Sequence, residues 1–122
     1  MANATALIPF SGSTQGQAVL VAATSTAGTT IHTTGTSATI VDRLSIWAFN
    51  AHSADVLLTI EFGGATAPAQ NIVQTITAKT GLTLVVDGLI LLGNGSAALT
   101  VKAFAATTNV ITLSGYVMRV TP

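Results

Sequence analysis

From Leu44 to the end of the chain, apolar side chains recur at every second position. Short polar clusters interrupt them roughly every 8 to 12 residues, the spacing of strands in an antiparallel sandwich or barrel. A period of two places the apolar groups on one side of an extended strand, whereas a helix needs a period of 3.6. No helical period persists anywhere in the sequence. Leu44, Ile46 and Ala48 alternate with Ser45, Trp47 and Phe49, so Asp42 to Asn50 has two usable faces and reads as a central or interface strand. Val56, Leu58, Ile60 and Phe62 alternate with Leu57, Thr59 and Glu61, and Ala51 to Asp55 between these segments reads as a hairpin link. Gly63-Gly64 stops the second strand, and Pro68 keeps the next loop out of a sheet interior. Asn71 to Thr77, the turn Ala78 to Gly81, and the alternating Leu82, Leu84 and Val86 predict another hairpin. Asp87-Gly88 and Asn94-Gly95 read as tight turns around Leu89 to Leu92, since both pairs favour positive φ. Leu99 to Ala106 and Val110 to Val120 are two further strands. Upstream, Gln17 to Ala23 and Thr29 to Thr33 are weaker candidates. About eight strands in a jelly-roll-like antiparallel β-sandwich, residues 17–122, are expected, preceded by an extended arm, residues 1–16.

Composition narrows the function. The 122 residues carry 4 Lys+Arg and 4 Asp+Glu, a net charge of zero, where an average domain of this length carries roughly 30 charged groups. Thr and Ala supply 21 and 20 residues, and the aromatic share is only 5%. A free monomer usually keeps a charged surface, because hydration and repulsion oppose association. A surface of small, weakly hydrated side chains suits a subunit that buries much of its exterior, so a homo-oligomer is expected. Mean hydropathy is +0.67, yet the longest large-apolar run, Leu89 to Leu92, is far short of the roughly 20 residues that span hydrocarbon. No membrane partner is expected. With no Cys there is no disulfide, thiolate nucleophile or Cys-based zinc site. Met1 to Phe10 has neither a basic region nor a long apolar region, so no secretory leader is expected.

The chemistry-bearing residues are few. His52-x-x-Asp55 is the one close His–carboxylate pair in the sequence, but polar residues belong at a hairpin tip and no nucleophile motif accompanies it. His32, between Thr and Ile residues, reads as a hydrogen-bonded structural histidine. No metal-ligand spacing occurs, and Gly93-Asn94-Gly95-Ser96 lacks the Lys and helix of a phosphate loop. Arg43, Lys79, Lys102 and Arg119 form no stripe, so nucleic acid is not an expected partner. Asp42-Arg43 reads as a source of surface ion pairs or a subunit contact. Trp47, Phe49, Phe62, Phe104 and Tyr116 are assigned mostly to the core. No catalytic, metal or cofactor residue is expected, and the chain is not read as an enzyme. Every charged side chain lies at or after Asp42. The earlier segment holds one apolar group, Leu7-Ile8-Pro9-Phe10. It reads either as an edge strand of the same domain or as an arm that adds onto a neighbour, with Ile8, Pro9 and Phe10 as contacts.

Several stretches resemble small virion proteins of tailed bacteriophages. These are Val21-Ala22-Ala23-Thr24 through Gly28 to Thr33, then Asp42 to Asn50, Leu58 to Gly64, Thr80-Gly81-Leu82 to Gly88-Leu89, and Val101 to Ala105. The likeness, one of strand and turn pattern over about Gln17 to Val120, is to the capsid decoration or cement class. It implies a non-enzymatic protein, made in the bacterial cytoplasm, that sits on the outer capsid surface as a homodimer or homotrimer, contacts the phage major capsid protein and stabilises the shell. The alternatives are another virion component (head fibre, tail or baseplate) or a lectin-like carbohydrate-binding module.

Overall fold

The computed structural model describes residues 3–122. Among them are nine antiparallel strands and no helix: β1 Ala4–Ile8, β2 Val19–Leu20, β3 Thr29–Thr33, β4 Val41–Asn50, β5 Val56–Phe62, β6 Asn71–Ile76, β7 Thr83–Leu91, β8 Thr100–Ala105 and β9 Ile111–Thr121. They form two sheets packed as a sandwich. One sheet has the order β1-β9-β4-β7, with β2 also paired to β9, and the other has the order β3-β8-β5-β6. These two interleaved orders are those of a jelly roll, two Greek keys wrapped into a double sheet.

The period-two segments become the central strands for the expected reason. On β4 the side chains of Asp42, Leu44, Ile46, Ala48 and Asn50 point inward and are buried. Leu58 and Ile60 of β5, Val101, Ala103 and Ala105 of β8, and Ile111, Leu113 and Val117 of β9 meet them from the other strands. Sheets stack about 10 Å apart, and this gap is filled by aliphatic and small side chains. Phe10 is the one aromatic residue in the buried core among the described residues. That corrects most of the assignment of the aromatics to the core: Phe62, half-buried, packs against it, but Trp47, Phe49 and Phe104 are only half-buried and Tyr116 is exposed. Trp47 and Phe49 occupy the odd positions of β4, and alternation sends them outward.

Two expected hairpins are instead crossovers between sheets. Ala51 to Asp55 leads from β4 in one sheet to β5 in the other, and residues 77–82 lead from β6 back to β7. Asn50, fully buried, ties both together: its Nδ2 donates to the carbonyls of Ala54 (3.0 Å) and Ile76 (2.9 Å), and its Oδ1 accepts the His52 N–H (2.8 Å). Residues 63–70 link β5 to β6 as directly paired neighbours, and residues 9–18 link β1 to β2, which both pair with β9. The expected turn at Asp87-Gly88 is a bulge inside β7, because Leu44 pairs with Leu89 while Ser45 pairs with Asp87. Gly88, at φ 68°, takes the left-handed conformation that the extra residue requires. A second irregularity follows between Ile46 and Trp47.

The N-terminal segment is folded onto its own chain. Residues Ala4 to Ile8 pair with Thr121 to Val117 of β9, as an edge strand of the same sheet. Phe10 is 2% exposed, which removes it from the exposed contact set. Ile8 is half-buried against the core and Pro9 is exposed.

Candidate interaction face

The outer side of the β1-β9-β4-β7 sheet is apolar over most of its area. Register places Leu7, Met118, Arg43 and Ile90 in one row across the four strands. Tyr116, Ser45 and Asp87 make the next row, Ser114, Trp47 and Leu84 the third, and Leu20, Thr112 and Phe49 the fourth. Leu7 is 67% and Ile90 61% exposed, and Leu20, Leu84 and Tyr116 are each at least two-fifths exposed. The Trp47 and Tyr116 rings lie 5.9 Å apart at 38°, an arrangement that aromatic quadrupoles favour. β4 thus carries hydrophobic groups on both sides, as a strand between a core and an interface must.

At the centre of this face is a shallow depression of about 160 Å³ lined by Arg43, Ser45, Asp87, Tyr116 and Met118. Arg43 is held by its Nε, which donates to the Gly88 carbonyl at 3.1 Å. The bulge therefore positions the guanidinium as well as bending the strand. Arg43 and Asp87 are the face's one cation and one anion among the described residues, and they do not pair with each other. The opposite outer face, on the β3-β8-β5-β6 sheet, exposes Leu57 and Val73 but also bears Lys102, Thr30 and Thr75. There the carboxylate of Glu61 is covered by the loop before β3, accepting hydrogen bonds from Thr26 Oγ1 and from Gly28 N–H at 2.7 Å.

Asp42 and Arg43 separate: of the two expectations, surface ion pairs or a subunit contact, the first does not hold for Asp42, which pairs inside the protein. Neighbours on a strand point to opposite faces, so Arg43 joins the outer face while Asp42 enters the interior. Asp42 is 1% exposed and is held by Arg119 through two bonds, Nε to Oδ1 at 2.7 Å and Nη2 to Oδ2 at 2.8 Å. His32, also 1% exposed, bonds Oδ2 through Nε2 at 2.7 Å. Its Nδ1 accepts the Ser11 N–H at 3.1 Å, which assigns the ring proton to Nε2. Burial alone would raise the Asp42 pKa, but the hydrogen bonds from Arg119 and His32 and the charge of Arg119 outweigh it and hold the carboxyl below its ordinary 3.8; the same contact with Asp42 raises Arg119.

This cluster is a structural tie between β3, β4 and β9, with the residues after β1 attached to it. The geometry is unlike a nucleophile triad: the imidazole meets the Ser11 backbone, while Ser11 Oγ accepts the Thr33 N–H at 2.7 Å. Sequence separation concealed the cluster, since Arg119 lies 77 residues from Asp42. The pair singled out by spacing, His52 and Asp55, is not joined. His52 N–H bonds Asn50 and the Asp55 carboxylate accepts the Ala78 N–H at 3.0 Å. Gly93 to Ser96 forms a turn closed by Asn94 Oδ1, which accepts the N–H groups of Ser96 and Ala97. Among the described residues no three His, Asp or Glu side chains gather as a metal site.

Neither a comparison with protein-family models nor one with curated proteins finds a match to this chain.

Proposed function

We propose that this chain is a non-enzymatic structural protein of a phage virion, one that binds the outer surface of the capsid and stabilises the shell by bridging its subunits. The observation that carries the reading is the outer face of the β1-β9-β4-β7 sheet, where Leu7, Leu20, Leu84 and Ile90 are exposed on a chain with eight charged side chains. Such a surface is held in solution by little charge and gains free energy when covered, which marks the chain as a subunit of an assembly, whether a second copy or the shell covers this face. A protein that binds an assembled shell but not its dissociated subunits stabilises the shell by linkage. Contacts to two capsomers then reinforce each other through effective concentration. The resemblance to capsid decoration proteins supplies the phage context, the major capsid protein as partner and the exterior location.

Co-sedimentation with capsids that lack the protein, followed by heating of decorated and bare shells, tests this. Stoichiometric binding and greater shell survival are expected, and failure to bind intact capsids would refute it. A second reading, carbohydrate binding, is favoured by the Trp47–Tyr116 ring pair beside the Arg43 and Asp87 depression. Saturable binding of a glycan, lost in Trp47→Ala, would select it.

A further inference from the structure

We infer that the outer face of the β1-β9-β4-β7 sheet is the contact between two copies of this chain, related by a two-fold axis that crosses the Arg43–Asp87 depression. The inference rests on reading this face as an association surface, and it does not depend on the shell.

The first argument is charge. The face carries one cation and one anion, on the adjacent strands β4 and β7 and both lining the same depression, with no ion pair between them. The other charged groups are placed elsewhere. Asp42 and Arg119 pair internally, Glu61 is buried beneath the loop before β3, Lys102 lies on the opposite sheet, and Asp55 and Lys79 lie at the crossovers. A two-fold contact is isologous, so each patch meets its own image. An axis in the interface plane, perpendicular to the line joining the two groups, puts Arg43 of each copy over Asp87 of the other. Two unpaired charges per chain then become two ion pairs per dimer. A partner of unrelated sequence has no reason to match one plus and one minus at this spacing.

The second argument is area. Leu7, Leu20, Leu84, Ile90 and Tyr116 expose between them on the order of 500 Å², against about 800 Å² contributed by each side of a standard interface. The half-buried Trp47, Phe49, Met118 and Val120 between them supply much of the remainder. The apolar, aromatic, Met and Arg residues of the face are those enriched in interface cores, with Ser45, Ser114 and Asp87 among them.

The third argument concerns the mode of contact. The β7 edge of this sheet has two irregularities, at Gly88 and between Ile46 and Trp47 of its partner, that break the ladder a neighbouring strand would need, and the other edge is the five-residue strand β1. Association through the flat face buries the apolar side chains that pairing at an edge would leave in water. A two-fold dimer also carries every other surface twice, which is what bridging two capsomers requires.

Sedimentation velocity on the purified chain, over a range from about 1 to 100 μM, reads the outcome. A dimer is expected. Arg43→Glu and Asp87→Lys, each at an exposed site, are expected to weaken it about tenfold or more apiece, while the combined Arg43→Glu/Asp87→Lys chain regains near wild-type affinity, because both pairs are restored with reversed sign. Ile90→Glu and Leu84→Lys are each expected to give monomers, with thermal unfolding of every variant checked against wild type. A monomer at 100 μM, a trimer, or a double reversal no tighter than the single variants would overturn the inference. So would a monomer that binds a glycan or a shell through this face. A stable dimer that fails to decorate capsids would leave the inference standing and refute the capsid reading.

Discussion

Replacing Asp42 by Ala removes the acceptor on which two donors converge. His32 Nε2–H is then buried without a partner, and Arg119 loses both of its bonds to the carboxylate. Leaving the buried, neutral His32 donor unpaired costs about 1–3 kcal/mol and losing the charge-assisted bonds of Arg119 about 1.5–3 kcal/mol more, roughly 3–5 kcal/mol together. Asp42 and His32 are at the buried limit while Arg119 is one-third exposed, so water compensates part of the Arg119 loss. For a domain of this size each kcal/mol shifts Tm by about 4 °C, giving a fall of roughly 12–20 °C by scanning calorimetry at pH 7. Arg119→Met leaves the carboxylate with His32 and a partly solvated flank, and costs less, about 1–3 kcal/mol. The pH dependence has a definite sign. The folded Asp42 carboxyl titrates below its ordinary value, so its stabilising contribution is complete above the unfolded-state value of about 3.9 and is lost as pH falls through the lower folded value. The gap in Tm between wild type and Asp42→Ala is therefore expected to be constant near neutrality and to narrow below about pH 4. A fall of less than about 4 °C at pH 7, equivalent to 1 kcal/mol, or a gap that is unchanged at low pH, would refute the assignment of Asp42 as the hub of this cluster.

Phe10→Ala is expected to cost about 3–5 kcal/mol, the range for truncating a buried aromatic, and to raise amide exchange across Ala4 to Ile8, since Phe10 anchors the segment that follows β1. Gly115→Ala is expected to destabilise by at least about 1–3 kcal/mol, as for overpacked cores. A Cβ there would collide with the Ser45 carbonyl oxygen and lie 2.9 Å from the Phe10 ring, and an unchanged midpoint in urea would contradict it. Glu61→Gln turns one acceptor into a donor facing either Thr26 Oγ1 or Gly28 N–H, so a loss of about 1–3 kcal/mol is expected, with faster exchange confined to residues 24–28.

Much of the fold was legible because period two is a local property. The boundaries of β4, β5, β6, β8 and β9 follow the alternating segments within a residue or two, since each side chain's face is set by its parity along an extended backbone. The same rule accounts for the two-faced character of Asp42 to Asn50, and hence for the apolar outer face. Parity does not say which sheet a strand joins. The links at 51–55 and 77–82 have the composition of hairpin turns yet cross the sandwich, because pairing is decided by which apolar faces must meet, not by the loop. Parity also cannot tell a turn from a bulge at Asp87-Gly88, where positive φ serves both.

Scarce charge, absent cysteine and alternating apolar residues were enough to establish an all-β chain with little to keep it apart from other surfaces. Tertiary structure alone decided where the few polar groups went. It drew His32, Asp42 and Arg119 together from distant strands and left Arg43 and Asp87 unpaired on one face. It also decided between the two readings of the N-terminal segment, pairing β1 to β9 and burying Phe10 in the chain's own core. The physical reason is that desolvation and ion pairing depend on distances between strands far apart in the chain, and those distances exist only once both sheets have closed over the core.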